Sequence, residues 1–172
     1  MGKKAVMISI RPEWCHLIAK GEKTVEVRKT RPNVGAPFKC YIYCTLSGCN
    51  EFFRDVLGGD VAAWNRSKMA NMKGMVIGEF VCDAIFPICI EYSDPDCEIA
   101  KHEFTFTGLT DKQIIDYLGN GKEGYGWHIS DLTIYDKPKH IGDFKVMVNT
   151  KMWTFTKKLE RPPQSWCYVI EG

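Results

Sequence analysis

Alternation of apolar and polar residues along the first part of the chain predicts a strand, a helix and two further strands. The β-compatible run Ala5–Ile10 precedes Pro12–Lys20, where proline suits a first helical turn and apolar residues recur at helical spacing. Gly21 follows as the residue that ends this helix. Thr24–Thr30 and Phe38–Thr45 alternate with a period of two, which predicts two strands.

The second half of the chain contains a long strand-like segment, a capped helix and two later strands. Met75–Ile90 is the longest β-compatible stretch, and Pro87 within it predicts a bend or an edge position. Thr110 is the expected N-cap of a helix over Asp111–Leu118, which the glycines after it end. The other expected segments are a partly helical inserted connection at about 46–73, a turn at Tyr92–Asp96, strands at Trp127–Tyr135 and Ser165–Ile170, and a loop at Lys137–His140.

The order of these elements favours an α+β domain, because strands and helices do not alternate as regular βαβ units. We expect a small mixed β-barrel of five to six strands with two to three short helices. A length of 172 residues fits one ordinary domain, so residues 1–172 are predicted to form a single one. Side chains fill a barrel of this size, and its ligand site is then expected at a rim or in a cleft.

Hydropathy and cysteine content indicate a cytoplasmic protein. No apolar run approaches the roughly 20 residues that span a bilayer, and the first strand is too short for the core of a signal peptide. Most of the eight cysteines lie in apolar runs, as Cys40, Cys44, Cys82 and Cys89 do, which is typical of reduced, buried thiols.

Neither a metal nor a cofactor is expected. Cys40 and Cys44 are four residues apart on a predicted strand, a rise of roughly 13 Å that one tetrahedral zinc ion cannot bridge. The chain also contains no P-loop and no dinucleotide fingerprint.

The formal net charge of +2 is unevenly distributed along the chain. Residues 1–39 carry nine Lys or Arg and three Glu, and residues 137–161 carry seven basic and two acidic residues. Between them, residues 83–123 carry three Lys and nine acidic residues. If the two basic segments share one face, that face attracts phosphate groups; the alternative is ordinary solvated surface charge.

Charged residues around the second predicted strand form the strongest candidate site. Glu26 and Arg28 point to the same side of Thr24–Thr30, and Lys23 lies at the turn that enters it. A carboxylate accepts hydrogen bonds from an exocyclic amine, whereas a guanidinium suits phosphate or a base edge. Lys23 and Glu79 are a candidate lysine–carboxylate pair. The alternative is a cross-strand ion network on a solvated sheet face.

Several of these segments, in this order, resemble the ASCH domain, a branch of the PUA-like superfamily. The resemblance covers most of the chain except 46–73 and parts of 91–123. It rests on the segments Ser9-Ile10-Arg11-Pro12, Gly21-Glu22-Lys23-Thr24-Val25-Glu26-Val27-Arg28 and Gly78-Glu79-Phe80. The close of the chain, Arg161-Pro162-Pro163-Gln164-Ser165-Trp166-Cys167-Tyr168-Val169, is similar to a subgroup common in bacterial and phage genomes.

The resemblance implies a PUA-like barrel beside a cleft, with RNA or modified nucleosides as ligands. Some small relatives remove the acetyl group from N4-acetylcytidine, and their lysine matches Lys23 while their glutamate matches Glu79. Their catalytic threonine falls at Glu26, where this chain has a carboxylate in place of a hydroxyl. This departure weakens the case for deacylation.

Three functions therefore remain open from the sequence. The first is binding of RNA or a modified nucleoside in a basic cleft, with a base stacked on an aromatic ring. The second is a hydrolase of the same fold, an N4-acetylcytidine-type amidohydrolase or a ribonuclease, with Lys23 and Glu79 as catalytic residues. The third is a protein-interaction module without a small ligand. The expected ligand-binding residues are Ser9, Arg11, Lys23, Thr24, Glu26, Arg28, Trp127, Ser130 and Ser165.

Overall fold

Ten strands and two helices form within residues 3–47, 72–89 and 106–170, the part of the chain that the computed structural model describes. The strands are β1 (Lys4–Ile10), β2 (Val25–Arg28), β3 (Phe38–Cys44), β4 (Val76–Cys82), β5 (Ile85–Cys89), β6 (Glu123–His128), β7 (Ser130–Lys139), β8 (Lys145–Asn149), β9 (Thr154–Lys158) and β10 (Trp166–Ile170). The helices are α1 (Pro12–Ala19) and α2 (Asp111–Leu118), and a 3-10 turn covers Ile141–Asp143.

The chain divides into two compact units, each built from separate parts of the sequence. The first unit draws on Met1–His16, Lys39–Phe80 and Leu132–Gly172, and the second on Leu17–Phe38 and Val81–Asp131. The single domain predicted over residues 1–172 stays a prediction. The inserted connection expected at about 46–73 lies almost entirely outside the described residues, and the turn expected at 92–96 lies wholly outside them.

A seven-stranded mixed sheet runs in the order β7-β4-β3-β1-β10-β8-β9. Strand β1 is parallel to β3 and antiparallel to β10, and β8 and β9 form an antiparallel pair. The mixed sheet confirms the α+β class. Among the described strands, however, β7 and β9 are the two edges of this sheet, so no closed barrel is formed there. The expected five to six strands were also too few.

Both sides of β1 are buried, with Val6, Ile8 and Ile10 on one side and a core cluster of the first unit on the other. Alternate residues of β1 point into this cluster, because side chains on a strand point to opposite faces in turn. The buried residues of this cluster are Ala5, Met7, Tyr41, Tyr43, Val76, Ile141, Phe144 and Val169.

In the second unit, α2 packs on one face of a three-stranded antiparallel sheet of order β2-β6-β5. The helix begins at a capping box, in which Thr110 and Gln113 satisfy each other's backbone N–H groups. It ends at Gly119, whose φ of 107° disfavours other residues. The predicted cap and helix bounds are confirmed. The buried residues between helix and sheet are Val27, Ile88, Ile114, Ile115 and Leu118.

Glycines of β6 allow this packing. A Cβ atom at Gly126 would lie 2.5 Å from the ring of Phe86, and one at Gly124 would lie 2.5 Å from Leu118. Strand β6 therefore begins at Glu123, before the strand start predicted at Trp127. Glycine within a strand often marks such a close approach of another group to the backbone.

Two predicted strands are each divided in the structure. Met75–Ile90 separates into β4 and β5, and β5 is an edge strand, as Pro87 predicted. Trp127–Tyr135 separates into β6 and β7 at Ile129. Strand β7 then continues to Lys139, so the loop expected at 137–140 was largely wrong.

The six cysteines among the described residues are all free thiols. Cys40, Cys44 and Cys82 are buried as expected, and burial raises the pKa of Cys82 to about 12. Cys89 is exposed, because on the edge strand β5 it alternates with the buried Ile88. The described residues contain no group of three or more His, Cys, Asp or Glu side chains placed to hold a metal. Neither described helix is long and apolar enough to cross a membrane.

Candidate functional site

Strand β2 places two charged side chains on the face of its sheet opposite α2. Val27 packs in the cluster under α2, so Glu26 and Arg28 point to the other side. The register pairs Glu26 with Trp127 and Arg28 with Tyr125, which puts these four side chains on one face. We call Glu26, Arg28, Tyr125 and Trp127, together with Lys23 beside Glu26, the charged face.

Lys23 is the most deeply buried cation of this face, with 1% of its side chain exposed. Its Nζ donates hydrogen bonds to the carbonyl oxygen of Val25 at 2.7 Å and to that of Thr107 at 2.5 Å. It also lies 3.4 Å from Oε2 of Glu26. Two of the three ammonium protons are therefore donated to backbone carbonyls, and the contact with Glu26 is an ion pair.

Glu26 contacts both cations of the charged face. Its Oε1 lies 2.9 Å from the guanidinium of Arg28, while its Oε2 contacts Lys23. The side chains of Glu26 and Arg28 are only 7% and 10% exposed. Lys23, Glu26 and Arg28, which were expected to converge with Glu79 around one cleft, thus contact one another in a buried ion cluster and do not form a row of solvated charges.

Burial sets the acid–base behaviour of Lys23. Loss of solvation disfavours the ammonium and lowers the pKa of Lys23 below its ordinary value of 10.5. The carboxylate of Glu26 opposes this shift, and the positive charge of Arg28 adds to it. Lys23 therefore loses its proton more readily than an exposed lysine does.

The two aromatic rings of the charged face differ in their exposure to solvent. Trp127 is fully buried and packs edge-on against Phe38, with ring centroids 5.9 Å apart. Tyr125 is half-buried, and the guanidinium of the exposed Arg31 lies 5.4 Å from its ring centroid. Trp127 was expected at the ligand site, with a core position as the alternative, and the structure shows the core position. Tyr125 is the accessible end of the charged face, and Arg31 lies over its ring.

Next to Trp127 along β6, but on the opposite side of the sheet, His128 forms a hydrogen-bonded pair with Asp83 at 2.6 Å. The hydrogen bond from His128 lowers the pKa of the Asp83 carboxyl. Ser130, a predicted ligand-binding residue, donates from its hydroxyl to the carbonyl oxygen of Val81 at 2.9 Å. This arrangement connects the end of β4 to the junction of β6 and β7.

Glu79 lies in the first unit and has its own partners there. Lys39 contacts its Oε1 at 2.9 Å, and the hydroxyl of Tyr135 donates to its Oε2. Lys23 contacts the carboxylate of Glu26, and the carboxylate of Glu79 contacts Lys39. Neither contact is the Lys23–Glu79 pair that the sequence offered. Burial alone raises the pKa of Glu79, but the hydrogen bonds from Tyr135 and Lys39 outweigh it and lower that pKa below its ordinary 4.5.

Glu79→Gln is expected to remove an acid-sensitive part of the free energy of unfolding. A carboxyl whose pKa is lowered by folding stabilises the fold fully above pH 4.5, and this contribution disappears as the pH falls through the folded-state pKa. The difference in stability between wild type and Glu79→Gln should therefore shrink from pH 7 to about pH 3, as measured by urea denaturation. An equal difference at both pH values would contradict the proton linkage.

The other predicted binding residues lie at backbone junctions. In the first unit, Ser9 donates from its hydroxyl to Pro163 O at 2.6 Å and from its backbone to Ser165 O at 2.9 Å. These bonds join the start of β10 to β1. In the second unit, the backbone of Thr24 bonds to Phe106 O and Ile129 N. Arg11 is exposed.

Sequence reasoning did not identify Tyr125, Thr107 or Asp83 as site residues. Tyr125 lies before the predicted strand Trp127–Tyr135. Its spacing of two residues from Trp127 nevertheless indicates that both side chains point to the same side of one strand. Thr107 contacts Lys23 through a backbone carbonyl, which carries no side-chain signal in a sequence.

Comparison with known proteins shows the fold. No protein-family model matches the chain, and no curated protein matches it significantly. The solved structure of ASCH from Zymomonas mobilis matches with a TM-score of 0.58 and 20% identity, over 95% of this chain and 86% of that one. A serine-to-alanine mutant of the same protein matches with a TM-score of 0.59 and 18% identity, over 95% and 87% of the two chains. The chain therefore has the fold of ASCH domain proteins, as its sequence motifs predicted.

Proposed function

We propose that this protein binds RNA or a modified nucleoside, and that the charged face of the second unit holds the base. The observation that carries the proposal is the position of Glu26, a buried carboxylate flanked by Lys23, Arg28 and the ring of Trp127. The ligand class is the one that the resemblance of the sequence motifs to ASCH domains implies, and the match in fold supports that resemblance. We propose with it that the fold is related to PUA-like domains.

Glu26 supplies the hydrogen-bond acceptor for the base. In the part of the chain that the structure describes, its Oε2 accepts no hydrogen bond and has only the 3.4 Å ion-pair contact with Lys23. A buried carboxylate oxygen with spare capacity suits an exocyclic amine such as that of cytosine. Lys23 and Arg28 hold this carboxylate in place.

The accessible end of the charged face suits the rest of a nucleotide. Tyr125 offers a half-buried ring on which a base stacks, an interaction worth about 1–3 kcal/mol. Arg31 lies over that ring and is exposed, so its guanidinium is placed for a phosphate. A ligand bound at Tyr125 thus has a ring and a cation beside it, next to Arg28, which the register pairs with Tyr125.

Tyr125→Ala should weaken binding of cytidine, N4-acetylcytidine or a short RNA by about tenfold, because it removes the stacking surface. Tyr117→Ala is the matched control, since Tyr117 has a lysine, Lys29, over its ring but belongs to α2, on the other face of the sheet. Isothermal titration calorimetry and thermal unfolding should be measured on the same samples. Arg28→Ala is expected to weaken binding more than it lowers stability.

Unchanged binding by both Tyr125→Ala and Arg28→Ala, with a melting temperature several degrees lower, would show that these residues only stabilise the fold. The assignment of the site to the charged face should then be abandoned.

A hydrolase is the second candidate, favoured by the lowered pKa of Lys23. A neutral lysine is a base or nucleophile, and the resemblance assigns Lys23 and Glu79 to catalysis. Against this, Nζ already donates to Val25 O and Thr107 O, so its lone pair would face the carboxylate of Glu26. Turnover of N4-acetylcytidine or RNA that is lost in Lys23→Ala would favour the enzyme. If the protein neither turns over nor binds these ligands, the protein-interaction module is favoured.

A further inference from the structure

The β8–β9 hairpin, residues 145–158, displays an unusual amount of apolar surface. Met152 and Trp153 at its tip are 80% and 72% exposed, and Phe155 and Met147 on its strands are 48% and 43% exposed. The register pairs Phe155 with Val148, so Phe155 points to one side of the hairpin and Met147 to the other. Met152, Trp153 and Phe155 are close in sequence at the tip, and large apolar side chains exposed together indicate a binding site more often than isolated ones do. The hairpin lies in the first unit and shares no residue with the charged face.

The turn of the hairpin holds these side chains outward. The backbone N–H of Thr150 donates to Trp153 O at 2.8 Å, and its hydroxyl accepts from the N–H of Trp153 at 2.9 Å. The strands on either side pair in continuous register from Asn149 opposite Thr154 to Lys145 opposite Lys158. The exposure of Trp153 is therefore a property of an ordered turn.

The charge of the hairpin is entirely positive. Residues 145–158 include four lysines and no acidic residue. Lys145 and Lys158 lie directly opposite each other, an arrangement that destabilises a strand pair. Within the described residues, no ion pair joins these lysines to a carboxylate. A polyanion would relieve the repulsion between them.

We propose that the β8–β9 hairpin binds single-stranded nucleic acid. Bases stack on Trp153, the residue before β9, and on Phe155, two residues later, and the lysines contact phosphates. Lys157 lies on the same side of β9 as Phe155. Rings interleaved with lysines are the composition that single-strand binding surfaces use. A second copy of the chain is a poorer occupant, because lysines on an edge strand such as β9 oppose strand pairing. The proposal rests on the proposed function only for its ligand class.

The test is the binding of a fluorescein-labelled oligouridine of about 12 nucleotides, followed by fluorescence anisotropy at several salt concentrations. Trp153→Ala should weaken binding about tenfold through lost stacking. Lys157→Ala/Lys158→Ala should reduce the slope of log K against log salt by about 1.4, because each phosphate contact contributes roughly 0.7. Lys122→Ala, an exposed lysine of the second unit, is the control and should change the slope little.

Several results would overturn the proposal. These are equal affinity of wild type and Trp153→Ala, an equal loss in Lys122→Ala, or no binding of the oligonucleotide by the wild type. Binding of anionic vesicles but not of oligouridine would assign the hairpin to membranes instead. A change of sedimentation behaviour in Trp153→Ala without a change in affinity would assign it to self-association.

Measurements on free cytidine distinguish an error in the hairpin proposal from an error in the assignment of the charged face. Trp153→Ala should leave the affinity for free cytidine unchanged, whereas Tyr125→Ala should reduce it. Loss of cytidine binding in Trp153→Ala would contradict two separate sites.

Discussion

Glu26→Ala is expected to lower the free energy of unfolding by about 3–5 kcal/mol, the range found when one partner of a buried ion pair is removed. Glu26 is the carboxylate that both Lys23 and Arg28 contact, and Lys23 is almost completely buried. Alanine would leave two buried cations near each other without this carboxylate between them. Urea denaturation at neutral pH measures the effect directly.

Glu22→Ala is the matched control for this prediction. Glu22 also pairs with a nearby lysine, Lys20, at 3.7 Å, but its side chain is 55% exposed. Surface pairs contribute at most about 1 kcal/mol because water screens them. The triple variant Lys23→Met/Glu26→Leu/Arg28→Met should recover much of the lost stability, since it removes the carboxylate together with both cations that contact it. If Glu26→Ala and Glu22→Ala destabilise equally, the buried cluster makes no special contribution.

Gly78→Ala is expected to destabilise the first unit by about 3 kcal/mol or more, or to prevent folding. A Cβ atom on this residue of β4 would overlap the backbone carbonyl oxygen of Thr133 in β7. It would also lie 3.2 Å from Cα of Ile134, so backbone must move to make room. The glycine thus has a steric role next to Glu79, in the Gly78-Glu79-Phe80 motif. Yield, circular dichroism and thermal unfolding would measure the loss.

Gly35→Ala separates this steric effect from the general effect of replacing glycine. A Cβ atom at Gly35 would have no neighbour within 4 Å, and its φ is outside the left-handed region. Alanine there should be neutral, or stabilising by about 0.4–1 kcal/mol through a less flexible unfolded chain. Equal losses at positions 35 and 78 would show that the contact with Thr133 is not the cause.

Local patterns predicted the elements whose signals lie within one segment. The proline at the start of α1, the capping box of α2 and the alternation of β2 are each complete within about ten residues. Strands β8 and β9 were not predicted, although the burial of β8 alternates along the strand; they form a hairpin whose residues are largely exposed. The glycines of β6 are explained only by the rings and methyl groups that pack against them.

The candidate site was predicted in part for the same reason. Alternation along one strand placed Glu26 and Arg28 together, and Lys23 was close in sequence. Glu79 was offered as a partner of Lys23 although nothing in the sequence specifies which lysine a distant carboxylate contacts. In the structure that lysine is Lys39, forty residues away along the chain.

By itself the sequence determined the α+β class, the faces of β2, the bounds of α2 and the resemblance to ASCH domains. These depend on periodicity, on capping and on motifs, which are local properties of the chain. Only the tertiary structure decided that the charges of β2 are buried, that Trp127 is a core residue and that Trp153 is exposed. Burial depends on which distant segments cover a side chain. The free energies of a charged group and of an aromatic ring both change strongly when such segments exclude water from them. The chemistry of Lys23 and of the hairpin is therefore a property of the fold.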